Sequence, residues 1–103
     1  MYKRIERSDV VIHLYGIDRE EVIKRLINED NVYIRETKYL YVPVYIKTNS
    51  FSLAYNAIYA FFFIRKYFSD VNSLRVMRLT KNLHKPTSLL FNSNTYRRLV
   101  ASL

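Results

Sequence analysis

The sequence predicts an α+β domain made of two related β-α-β halves. Short segments alternate apolar and polar residues with the period of a β-strand, and two longer segments repeat apolar residues with the period of an α-helix. The motif Thr-Lys-x-Leu-x-x-Pro occurs twice, as TKYLYVP at 37–43 and as TKNLHKP at 80–86. With 103 residues, half of them apolar, the chain is expected to form a single domain, 1–103, around one modest core.

The first half is predicted to begin with a strand and a helix. β-branched and aromatic residues over 9–16 predict the strand. The helix is expected to run to about Asn28, with Asp18 as its N-cap and Glu21 at the position of a capping-box acid.

Two further strands are predicted over 31–36 and 39–47, separated by a Thr-Lys turn. The alternation in the second of them predicts an inner face and an outer face. The inner face comprises Leu40, Val42, Val44 and Ile46, and the outer face comprises Tyr39, Tyr41, Pro43, Tyr45 and Lys47.

The second half is predicted to start with a long helix, capped by Asn49 or Ser50 and ending near Phe68. Its middle is apolar all round, which predicts burial on more than one side. The remaining elements are expected to be a strand at 73–79, a short strand within 87–91 and a C-terminal helix over 94–103 capped by Asn94.

The recurring motif predicts an internal duplication, with one copy at about 10–48 and the other at about 49–91. Two β-α-β copies give the split βαβ order of the ferredoxin-like fold. Pro43 conflicts with a central strand because proline cannot donate a ladder hydrogen bond, so the strand is expected at an edge, or bulged or broken at that residue. A variant with two αββ units forming a cleft therefore stays open.

Charge is distributed unevenly along the chain. The net charge is +8, yet residues 1–48 carry nine basic and eight acidic side chains, whereas residues 49–103 carry eight basic side chains and one acidic one. Such asymmetry favours a partner with negative charge. The predicted basic patch comprises Arg65, Lys66, Arg75, Arg78, Lys81 and Lys85.

If the inner faces pack on the helices, the opposite sheet face is rich in tyrosine and cations. The residues expected there are His13, Tyr15, Tyr33, Arg35, Tyr39, Tyr41, Tyr45, Lys47, Arg75 and Met77. Tyrosine offers a large contact area at a small entropic cost, so this face, or the cleft, is predicted to bind a protein, a peptide or a second copy of the chain. The alternative is single-stranded nucleic acid, whose bases stack on aromatic rings while Lys and Arg contact phosphates.

Enzymatic activity is not expected. The two histidines lack the spacing of metal ligands, and a single glycine rules out a glycine-rich phosphate loop. Cysteine is absent, so neither a disulfide nor a thiolate metal site is expected, and no cofactor is predicted. The most apolar stretch, 53–64, is shorter than the roughly 20 residues of a membrane span, and the N-terminus does not resemble a signal peptide.

The chain combines ten tyrosines, one glycine and no cysteine with a repeated Thr-Lys-x-Leu-x-x-Pro motif. In these features it resembles the small orphan proteins encoded by filamentous or rod-shaped viruses of hyperthermophilic archaea. The resemblance implies a compact interaction module in the host cytoplasm. It implies no catalytic residues, because that group has no common site.

Overall fold

The computed structural model describes residues 10–80 and 89–90, which form an antiparallel sheet and two helices. The elements are β1 (Val10–Tyr15), α1 (Arg19–Arg25), β2 (Val32–Ile34), β3 (Tyr41–Ile46), α2 (Leu53–Tyr67), β4 (Ser73–Arg78) and β5 (Leu89–Leu90). The strand order is β2-β3-β1-β4-β5, and every neighbouring pair is antiparallel. β3 therefore lies between β1 and β2, as in a split βαβ unit. The predicted α+β class is confirmed, and the predicted terminal helix lies outside the described residues.

Both helices pack on the same face of the sheet, because their buried residues share one core with the inward residues of β1 to β4. The helices contribute Val22, Leu26, Ala57, Ala60, Phe63 and Ile64. The strands contribute Val10, Ile12, Leu14, Val32, Ile34, Val42, Val44, Ile46, Leu74 and Val76. The opposite face of the sheet carries no helix among the described residues.

The predicted inner face of β3 is confirmed except at its first residue. Val42, Val44 and Ile46 are buried, but the Leu40 side chain is 95% exposed. β3 begins only at Tyr41, and the preceding chain forms bends in which the Tyr39 amide donates a hydrogen bond to the Thr37 hydroxyl at 3.2 Å. Strand alternation therefore does not extend to Leu40.

Pro43 lies in a central, unbroken strand, so the expectation of an edge, bulge or break at Pro43 is wrong. β3 pairs with β1 in one continuous register that includes His13 opposite Pro43. On the other side, the Arg35 amide donates to the Pro43 carbonyl at 3.2 Å. In an antiparallel sheet the N–H and the C=O of one residue point towards the same neighbouring strand. The Pro43 carbonyl faces Arg35, so the position where proline lacks an N–H also faces Arg35, just after the last residue of β2, Ile34. The backbone hydrogen bond that Pro43 cannot donate is therefore lost only where β2 ends.

The two predicted halves meet along a hydrogen-bonded ladder, because β1 pairs with β3 on one side and with β4 on the other. The variant with a cleft between two αββ units is therefore wrong for the described residues. Each half does supply a helix followed by two antiparallel strands. The duplication itself stays a prediction.

The helix ends differ in detail from the predictions. Asp18 is the N-cap of α1, but its side chain makes no capping bond, and the Glu21 carboxylate instead accepts from Arg25 Nε at 3.2 Å. α1 stops at Arg25 rather than near Asn28, because the Leu26 amide donates to nearby carbonyls in a tightened last turn.

The cap of α2 is Ser52, whose hydroxyl accepts from the Tyr55 amide at 3.2 Å. Neither Asn49 nor Ser50 caps the helix, because the chain turns first. Asn49 has a φ of 61°, a left-handed conformation that asparagine tolerates better than most residues.

Candidate functional site

The side of the sheet opposite the helices carries a tyrosine-rich face of half-buried rings, defined by Tyr15 on β1, Tyr33 on β2 and Tyr41 and Tyr45 on β3, together with His13. The chain neighbours of these residues lie in the core, so their own side chains project away from the helices. The cross-strand register joins them, with Tyr15 opposite Tyr41 and Tyr33 opposite Tyr45. Of the partner-binding residues predicted from the sequence, which are Tyr15, Tyr33, Tyr39, Tyr41, Tyr45 and Lys47, the structure thus places Tyr15, Tyr33, Tyr41 and Tyr45 on one surface.

A stack of rings forms at one end of this face. The Tyr41 ring lies parallel to His13 with centroids 4.1 Å apart, and Tyr39 lies parallel to Tyr41 at 5.5 Å. Tyr15 packs against Tyr41 in a tilted arrangement at 5.7 Å. Tyr39 was predicted to lie within the strand; it lies outside it but extends the stack, and its side chain is 72% exposed. The stack therefore ends on an accessible ring.

A second aromatic pair lies farther along the strands. The rings of Tyr33 and Tyr45 are tilted, with centroids 6.3 Å apart. Arg35, just after β2, donates from Nη1 to the Tyr45 hydroxyl at 3.5 Å. This hydrogen bond raises the pKa of the exposed Arg35 guanidinium, so the cation stays charged beside the rings. Lys47 is exposed just beyond β3, at the end of that strand opposite Tyr39.

A β-bulge in β4 adds two further cations to the same face. Arg75 pairs with His13 and Arg78 pairs with Val11, and the register shifts between these pairs so that Met77 is the extra residue. Directly paired residues project to the same side, so Arg75 and Arg78 both belong to the tyrosine-rich side of the sheet. The alternation on which the prediction of Met77 for this side depended is interrupted at that residue, so its placement stays a prediction.

His13 is held in its neutral form in this setting. Burial within the ring stack lowers the pKa of His13, and the neighbouring Arg75 guanidinium lowers it further. The imidazole is therefore uncharged at neutral pH and acts there as a flat ring.

The electrostatic character of the face follows from where the acids lie. The five described strands contain no Asp or Glu, whereas the described carboxylates lie in the helices and connections. Several of those carboxylates are already engaged: Asp70 and Glu21 with Arg25, and Glu29 with Lys66. Arginines on β4 and after β2 flank the rings on two sides, and no carboxylate on the described strands neutralises them.

The predicted basic patch is divided by the sheet. Arg65 and Lys66 lie on α2, in the helical layer, whereas Arg75 and Arg78 lie with the rings on the other side. Lys81 and Lys85 lie outside the described residues. These cations form one group in the sequence because the distribution of charge along a chain carries no information about which side of a sheet each residue occupies.

A shallow depression of about 220 Å³ adjoins the exposed Tyr39 ring. Its lining includes Arg19 and Arg35 as well as Asp18 and Leu40. Within residues 10–80 and 89–90, no cluster of His, Asp or Glu has the geometry to hold a metal ion. The chemistry offered at this end is therefore that of aromatic rings and guanidinium groups.

Among the described residues, neither helix combines the length and apolar character required to cross a bilayer. Comparison of the chain with models of protein families, with curated proteins and with solved structures gave no match.

Proposed function

We propose that the protein binds single-stranded nucleic acid through the tyrosine-rich face, without catalysing a reaction. The observation that carries the proposal is the combination of stacked rings on the two central strands with arginines on both sides of them. Aromatic rings offer stacking surfaces to any base, and each stacked base contributes about 1–3 kcal/mol. RNA-recognition domains use aromatic residues on a four-stranded sheet in the same manner.

The arrangement of charge favours a polyanion over a peptide. A protein partner on this face was the first expectation from the sequence, since tyrosine suits either ligand. Two arginines, Arg35 and Arg75, accompany the rings, and the described strands offer no carboxylate to pair with a basic peptide. Phosphates are the ligands that such a set of guanidinium groups binds best.

The test is the salt dependence of binding to a labelled oligo(dT), measured by fluorescence anisotropy. Two phosphate contacts on a single strand give a slope of about −1.4 in log affinity against log salt, so affinity is expected to fall about 7-fold between about 50 and 200 mM salt. Arg75→Gln should reduce the steepness of that slope by about 0.7.

Arg65→Gln is the matched control, because it removes the same charge from the helical layer and should leave the slope unchanged. Absence of binding at the lowest salt, or equal effects of the two substitutions, contradicts the proposal and leaves a peptide as the ligand of this face.

A further inference from the structure

The ring stack of the tyrosine-rich face ends on a side chain that is free on one side. Tyr39 lies parallel to Tyr41 with centroids 5.5 Å apart, so one side of its ring is occupied. The Tyr39 side chain is nevertheless 72% exposed, whereas the tyrosines that define the face are half-buried. The outer side of the Tyr39 ring is therefore the position in the stack that a base reaches most easily.

Two depressions adjoin this end of the face and share two arginines. The smaller, of about 220 Å³, is lined by Tyr39 and Tyr41 together with Arg19 and Arg35. The larger, of about 410 Å³, is lined by the same two arginines and by Glu36. Because they share lining residues, the two depressions form one groove, which leads from the ring stack to α1. We call it the end groove.

Arg19 is a cation of the end groove that does not belong to the tyrosine-rich face. Its Nη1 lies 3.9 Å from Glu36 Oε1, and the two side chains are 41% and 86% exposed. An exposed ion pair of that length contributes little to stability, so the guanidinium can exchange the carboxylate for a phosphate at small cost. The planar guanidinium group matches the geometry of two phosphate oxygens.

The acidic residues of the end groove favour the end of a strand over its interior. Asp18 lines the smaller depression and Glu36 lines the larger one, so phosphates that continue along the groove meet carboxylates. A strand that ends at the arginines avoids this repulsion. A terminal phosphate also carries about two negative charges at neutral pH, against one for an internal phosphodiester, and so gains more from two guanidinium groups.

We propose that the end groove binds the terminal phosphate of a single strand through Arg19 and Arg35, with the last base stacked on the outer side of Tyr39. This inference rests on the proposed binding of single-stranded nucleic acid and names the part of the strand that this end of the face recognises. A 5′-phosphate and a 3′-phosphate offer the same chemistry, and the test distinguishes them.

The test is competition against a labelled oligo(dT) without a terminal phosphate, followed by fluorescence anisotropy. The competitors are unlabelled strands of one length that carry a 5′-phosphate, a 3′-phosphate or neither. A longer strand with hydroxyl groups at both ends, matched in charge to the phosphorylated strands, separates the effect of the end from that of total charge. One of the two phosphorylated strands should compete several-fold better than every other competitor.

Substitutions in the end groove should change the ratio of the affinities for the phosphorylated and the hydroxyl-ended strand. Arg19→Gln should abolish the preference, because the terminal phosphate loses a guanidinium partner. Glu36→Gln should increase the preference, because it removes the carboxylate that competes for Arg19. Lys24→Gln is the matched control, since it removes one positive charge from an exposed position on the same helix and should leave the ratio at the wild-type value.

Circular dichroism establishes that each variant is folded before its affinities are interpreted. Equal competition by strands with and without a terminal phosphate overturns the inference but leaves the proposed function in place. A preference that persists in Arg19→Gln, or that the longer strand of equal charge reproduces, also overturns the inference. Failure of the labelled strand to bind even at the lowest salt overturns both the inference and the proposed function.

Discussion

Tyr41 joins the aromatic residues of two strands and a loop, because its ring stacks on His13 of β1 and on Tyr39 ahead of β3. Parallel rings at these centroid separations attract each other more strongly than the burial of their surface area alone would account for. The position of Tyr39 is further fixed by the hydrogen bond from its amide to Thr37. A residue outside regular secondary structure is thereby held as an extension of the sheet surface.

Asn56 performs a comparable role inside the helical layer. Its side chain is fully buried, donates to the carbonyls of Ser50 and Leu79, and accepts from the Thr48 hydroxyl at 2.6 Å. Since a buried amide without partners would be destabilising, these bonds account for a polar residue in the most apolar helix. They also fix the start of α2 relative to the end of β4.

His13 gives the residue-scale prediction. Its pKa is lowered by burial and by Arg75, so the ring is neutral at pH 7.5 and gains a proton only below the ordinary histidine range near 6.5. Protonation adds a cation to the tyrosine-rich face, so affinity for oligo(dT) at low salt should increase as the pH is lowered below that range.

His13→Phe keeps a ring in the stack but cannot be protonated, so its affinity should not change over this range. The measurement is anisotropy at constant ionic strength, with circular dichroism at each pH, since protonation of a histidine with a lowered pKa also weakens folding in acid. A wild-type affinity that is independent of pH, or a rise that persists in His13→Phe, contradicts the assignment.

At the scale of elements, periodicity predicted the middle of each strand better than its ends. The inward residues of β3 follow from alternation alone, because a half-buried strand imposes a period of two. The start of β3 was missed because the bends before Tyr41 depend on a local hydrogen bond to Thr37. The bulge at Met77 has no glycine or proline to signal it, so the pairing of Arg78 with Val11 on the tyrosine-rich side could not be predicted.

Pro43 and α2 show a second limit of prediction from the sequence, which is that the answer depends on residues elsewhere in the chain. The proline is tolerated because β2 ends beside it, which is a property of the neighbouring strand rather than of residues around Pro43. For α2, residues that are apolar all round indicate which sides could be buried but not which side the rest of the chain covers. The exposure of Tyr55, Ile58 and Phe62 on the outer side of α2 could not be predicted from the sequence for this reason.

The contact between the two helical segments gives the element-scale prediction. Arg25 of α1 donates to both carboxylate oxygens of Asp70, at 2.7 and 2.9 Å, and to the Tyr67 carbonyl at 3.0 Å. Its hydrogen bonds lower the pKa of the Asp70 carboxyl. A lowered carboxyl pKa contributes stability above its unfolded value of about 4, and that contribution is lost as the pH falls through the lower folded value.

Asp70→Asn should therefore unfold at a lower urea concentration than the wild type at pH 7, and the difference should disappear in strong acid. Asp30→Asn, an exposed acid in the turn before β2, is the control and should follow the wild type. Equal destabilisation by Asp70→Asn at every pH would mean that the ion pair with Arg25 does not contribute.

At the scale of the whole molecule, the sheet separates two surfaces of different chemistry. One side carries rings and arginines, and the other carries the two helices. The net charge of +8 draws polyanions towards the molecule as a whole, while the rings determine where bases can stack.

The most direct test is an NMR titration of the protein, labelled on its tyrosine rings, with oligo(dT). Because stacked bases shift the signals of the rings that they cover, those of Tyr39, Tyr41 and Tyr45 are expected to move with saturating oligonucleotide. The rings of Tyr55 and Tyr59, on α2, serve as internal references and should stay in place. Shifts confined to α2, or no shift at any of the five rings, would contradict binding at the tyrosine-rich face.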